Sequence, residues 1–110
     1  MTDWQPHARS LAAKLVRSGA LAGDWRKAFE QTPRHVFVPS FYAPGGTHIG
    51  ADNADDPAAF MTAVYADESL TTQLSSVPGT DLNWPTSSST LPSLMAQMLA
   101  LLDVRDGHRV

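Results

Sequence analysis

At 110 residues with 43% hydrophobic content, the chain can bury one modest core, and one domain is its ceiling. Eight Lys and Arg against eleven Asp and Glu give a net charge of -3, which supplies no basic field for a phosphate backbone or an anionic membrane surface, so neither nucleic acid nor membrane is an expected partner. The absence of cysteine removes disulfides, thiolate nucleophiles and zinc-thiolate sites, and no window approaches the roughly 18 apolar residues of a membrane span.

In chain order, Thr2 and Gln5 have capping-box spacing, and Ala8, Leu11, Ala12, Leu15 and Val16 share one face of a predicted helix that stops near Gly19. The charges at Asp3, His7, Arg9, Lys14 and Arg17 deny this segment the apolar run of a signal peptide, and a cytoplasmic protein is expected. A second helix over "GDWRKAFE" is predicted with Asp24 as cap and Trp25 and Phe29 on one side. "TPRHVFVP" ends it at Pro33 and turns extended, and residues 43–57 read as a loop. Asp56 then caps a helix bearing Phe60, Met61, Val64 and Tyr65, and "LTTQLSSV" alternates Leu70, Thr72 and Leu74 as a half-buried strand.

After the loop "PGTDLNWP", the residues Leu91, Leu94, Met95, Met98 and Leu102 form the best helical stripe in the chain, with Ser89 or Thr90 as its cap and Pro92 in its first turn. A strand is predicted to begin at His108 to Val110. Four helices, two or three short strands and long polar connections result, with no internal repeat.

The run Thr86-Ser87-Ser88-Ser89-Thr90 places five hydroxyls before a strong helix, where free N–H groups and the helix dipole favour an anion such as a substrate carboxylate. On local sequence alone, one capping hydroxyl followed by flexible linker is the commoner outcome. "GGTHIG" has the wrong glycine order for a dinucleotide fingerprint, and "DNADD" puts Pro57 and Ala63 where a calcium loop needs Gly and Glu. The histidines, His7, His35, His48 and His108, lack the spacing of a metal site or a catalytic triad, so solvated or structural roles are expected and no metal. Met95, Met98, Trp25 and Trp84 are expected to pack in the core. Pro33-Arg34-His35 is unusual, but nothing in its spacing makes it catalytic.

Three segments in register, "LVRSGAL" with "AFEQTPRHVFVP", then "VYADESLTTQ", and finally "SSSTLPSLMAQMLALLDVRDGHRV", resemble the protein-L-isoaspartate O-methyltransferase family, and specifically its longer relatives associated with modified peptides. The resemblance implies that residues 1–110 are the substrate-side region, a helix-rich α+β N-terminal fragment of an α/β Rossmann-like methyltransferase, with 103–110 the start of the truncated Rossmann-like domain. It implies that Pro92 to Met98 lie on the helix preceding the first strand of that domain. The family's Thr-x-Ser pair falls on Ser88 and Thr90 with the residue types exchanged, which implies that these are the catalytic hydroxyls and that Ser87 and Ser89 assist in substrate binding. Leu91 departs from the Gln or small residue frequent in the family.

By the same resemblance, the full-length family uses S-adenosylmethionine, bound by a glycine-rich loop that would follow Val110, to esterify isoaspartyl or aspartyl carboxylates of proteins or peptides. This chain alone is then expected to bind no cofactor and to be inactive. Two alternatives remain open at this stage: a non-catalytic peptide-binding module, and a decayed or truncated gene product whose exposed helix 91–102 self-associates.

Overall fold

Ala8, Leu11, Ala12 and Leu15 recur at three- and four-residue steps, and in the computed structural model, which describes residues 3–52 and 56–109, they are the buried face of α1 (Gln5–Arg17). Pro6 sits in the first turn, where its missing N–H would have no helical partner. The predicted partner of Gln5, Thr2, lies outside the described residues; the Asp3 carboxylate accepts from the Gln5 N–H instead at 3.1 Å. Gly19, at φ +82°, supplies the left-handed turn that ends α1.

A 3-10 turn at Gly23–Trp25 leads into α2 (Arg26–Gln31), so Asp24 is inside the turn and caps nothing. Trp25 and Phe29 do share a side and pack against the core. Beyond Pro33 the chain is not extended: Arg34–Phe37 form the single turn of α3, closed by the Val38 N–H on the Arg34 carbonyl at 2.9 Å. So short a helix depends on outside contacts. They come from Arg34 and His35, as described below.

Within the predicted loop, β1 (Ser40–Tyr42) and β2 (His48–Gly50) form a hairpin whose turn holds Gly45 and Gly46 at φ +95° and +91°. α4 (Pro57–Val64) starts as expected from Asp56, whose carboxylate accepts from the N–H groups of Ala58 and Ala59, and it buries Phe60, Met61 and Val64. Phe60 stacks on Phe41 with ring centroids 6.0 Å apart.

The strand predicted from Leu70 exists as β3 (Leu70–Ser76), and it pairs with β4 (Asn83–Ser89), which runs through the predicted loop and the serine cluster. All pairings are antiparallel, in the order β2-β1-β3-β4. Two register shifts, between Thr71 and Gln73 and between Gln73 and Leu74, break the alternation of β3. Leu70 is buried and Leu74 half-buried, whereas Thr72 is exposed. Trp84 is exposed on β4 and is not in the core.

α5 (Pro92–Leu102) follows the predicted stripe, yet it buries only Pro92 and Ala96, and Met98 faces solvent. Asp103 leaves the helix at φ +52°, and residues 103–109 are turns held by an Arg105–Asp103 ion pair of 3.0 Å. The strand expected from His108 is not formed at 108–109, and Val110 lies outside the described residues. The fold is α+β, with more sheet than expected. No helix among the described residues is long and apolar enough to cross a membrane.

Candidate functional site

The hydroxyl run sits on a strand and not on a helix terminus. Ser87, Ser88 and Ser89 belong to β4 opposite Gln73, Thr71 and Leu70, and α5 begins at Pro92 behind an extended Leu91 with no side-chain cap. The Thr72 hydroxyl donates to Ser87 at 3.1 Å, and the Ser75 hydroxyl to Thr86 at 3.5 Å, giving cross-strand rungs on an exposed surface. Ser88 is exposed, while Ser89 and Thr90 are half-buried. A spacing of two along extended backbone puts Ser88 and Thr90 on one side.

The expected anion site at the start of α5 is already taken. The Ser93 N–H donates to the Asp67 carboxylate at 2.8 Å, so a substrate carboxylate would meet a like charge there. The Ser89 and Thr90 side chains do not cap the helix, and Asp67, which reaches it from the segment before β3, does that work.

What joins Thr90 to the rest of the molecule is Arg34. One terminal nitrogen of its guanidinium donates to the Ala66 carbonyl at 3.2 Å, and the other to the carbonyls of Glu68 at 3.2 Å and Thr90 at 3.4 Å. The side chain thus ties α3 to the segment before β3 and to the end of the hydroxyl run. Its Nε is buried without a hydrogen-bond partner. Burial pushes the guanidinium below the ordinary arginine value, opposed by the charge of Asp67 and by Tyr65. Arginine nevertheless stays protonated, so a half-buried positive charge stands directly behind Thr90, contacting carbonyl oxygens and not a carboxylate.

No protein-family model, curated protein or solved structure matches the chain. Beside Arg34, the Tyr65 hydroxyl lies 2.8 Å from His35 Nδ1, and the Tyr65 ring carries His7 on one side, with centroids 6.0 Å apart and planes 28° from parallel. Burial raises the Tyr65 pKa above the ordinary phenol value, against the contacts with His35 and Arg34 and the Arg34 charge.

Of the residues expected from sequence, Ser87, Ser88 and Ser89 lie in β4 and Thr90 directly follows it, but only Ser87 among them has a side-chain partner. Local spacing does not mark Arg34, Tyr65 or Asp67 as site residues. The odd Pro33-Arg34-His35 triplet was the only local signal for Arg34; its partners lie 32, 34 and 56 residues away. Among the described residues, no group of three or more His, Asp or Glu could hold a metal.

Proposed function

We propose that this chain is the substrate-docking part of an S-adenosylmethionine-dependent carboxyl O-methyltransferase of the isoaspartate type, whose α/β Rossmann-like domain would follow it. Ser88 and Thr90 donate hydroxyl hydrogen bonds to the isoaspartyl carboxylate, and Ser87 and Ser89, whose side chains alternate to the other face, flank them. The observation that carries this reading is the Arg34–Thr90 junction, where a guanidinium held on backbone carbonyls, with the Asp67 charge close enough to offset part of its own, stands behind the end of the hydroxyl run. The resemblance of three segments, in register, to that family is the second support for the reading.

The cofactor does not fit the residues described. The paired glycines, Gly45 and Gly46, close an antiparallel hairpin and do not lead a strand into a helix N-terminus, where phosphate- and nucleotide-binding loops place theirs. The work assigned to this chain is therefore to bind and orient the carboxylate, and no transfer step is assigned to it.

The test is calorimetric titration of the chain with a peptide carrying isoaspartate and with the same peptide carrying aspartate or asparagine. Preference for the isoaspartyl form, weakened by about tenfold or more in Ser88→Ala with Thr90→Ala, is the expected result, since hydrogen bonds to charged groups contribute about 1.5–3 kcal/mol each. Equal binding of all three peptides, or an unchanged affinity in the double variant, would overturn the assignment.

A further inference from the structure

A cleft of about 770 Å³ runs along β3, from the β1–β2 turn to the tip of the β3–β4 hairpin. Its floor is apolar, with Leu70, Leu74 and Ile49 among the lining side chains. Glu68 lies at one end, two residues before β3, and Asp81 at the other, in the turn that follows β3. Among the described residues, no lysine, arginine or histidine lines the cleft. Neither carboxylate has a cation or hydrogen-bond partner among the described residues, although the Glu68 backbone carbonyl is held by Arg34.

The strand architecture suits an extended occupant. β3 has seven residues, which at roughly 3.3 Å each span about 23 Å. β1 has three residues and meets β3 at the single pair Tyr42↔Thr71, so Leu74 to Ser76 lie past the end of β1 and pair on one side alone, with β4. That leaves this end of β3 with one unpaired edge, reached from the cleft at Leu74, of the kind used when a peptide adds to a sheet.

We infer that this cleft docks an extended peptide segment of about six residues, apolar in the middle and carrying a basic side chain at each end. The apolar residues cover Leu74 and Ile49, beside the already buried Leu70, and the basic groups meet Glu68 and Asp81. An anionic segment would face two unpaired carboxylates and is rejected. The inference does not depend on methyl transfer or on isoaspartate, because none of its residues belongs to the Ser87–Thr90 edge.

The experiment uses a fluorescently labelled peptide of four alternating Val and Ala residues flanked by Lys, and its counterpart flanked by Glu; neither contains aspartate or isoaspartate. Saturable anisotropy with the Lys-flanked peptide is expected, weakened on the order of tenfold in Glu68→Gln with Asp81→Asn and weakened also by added salt, with no saturable signal from the Glu-flanked peptide. Both substituted side chains are exposed and unpaired, so the variant should keep the circular dichroism of the parent chain. Equal binding of the two peptides, binding unchanged in the double variant, or no saturable binding of the Lys-flanked peptide would each overturn the inference.

Discussion

α4 and α5 are the two most apolar helices of the chain, and each begins with proline behind an extended residue. α4 is capped by its own Asp56 and buries Phe60, Met61 and Val64. α5 is longer, borrows its first hydrogen bond from Asp67, and leaves Leu94, Met98, Leu101 and Leu102 exposed, Leu101 to 87%. Helical periodicity marks a face that would gain from a partner; only the arrangement of the other elements decides whether that partner is present. The half built on α1 and α4 has its partner, and the α5 face does not.

The largest effect that tests this contrast is expected at Leu15, which is 1% exposed and lies in the cluster with Phe60, Met61 and Val64. Leu15→Ala should cost about 2–5 kcal/mol. That is a large part of the roughly 5–15 kcal/mol available to a domain, so the urea midpoint should drop sharply or the chain should unfold. A loss below about 1 kcal/mol would mean that the α1–α4 core is not the stabilising half.

A smaller effect is expected at Arg34, where the two halves meet. Arg34→Met keeps an apolar stem but removes three hydrogen bonds to carbonyls, at a cost of about 2 kcal/mol, with the relief of an unpaired buried Nε offsetting part of the loss. Arg34→Lys should recover less than half of it, because a single ammonium cannot span the Ala66, Glu68 and Thr90 oxygens. Hydrogen exchange should accelerate at the start of α5, near Ser93, more than in α1. Equal acceleration everywhere would show that Arg34 supports the fold generally and does not specifically hold the Thr90 junction.

The same division explains what was legible in the sequence. The α1 face, the Asp56 cap and the Phe60–Val64 face are local patterns whose partners share the element or the core, and each reads directly from spacing. The serine run is different. In β4 every residue from Asn83 to Ser88 is exposed, so no hydrophobic alternation exists to reveal a strand, and its evidence is the facing hydroxyls of Thr72 and Ser75 on β3. α3 failed for a related reason: a four-residue helix after proline has no periodicity, and it stands because Tyr65, Ala66 and Glu68, some thirty residues on, accept or share its polar groups. Of the candidate site, the positions of the hydroxyls could be read, but not the strand that carries them or the arginine behind them.

The smallest effect on stability is expected on the unpartnered face. Leu101→Lys places a charge where the leucine is already solvated, and should change the free energy of unfolding by no more than about 0.5 kcal/mol. Its consequence should appear in association. If Leu94, Met98, Leu101 and Leu102 act together as an apolar patch, the parent chain self-associates with rising concentration in sedimentation experiments, and the lysine variant does so less at unchanged stability. A marked loss of stability in Leu101→Lys would instead mean that α5 packs its outer face within the monomer, and the contrast with α4 would no longer hold.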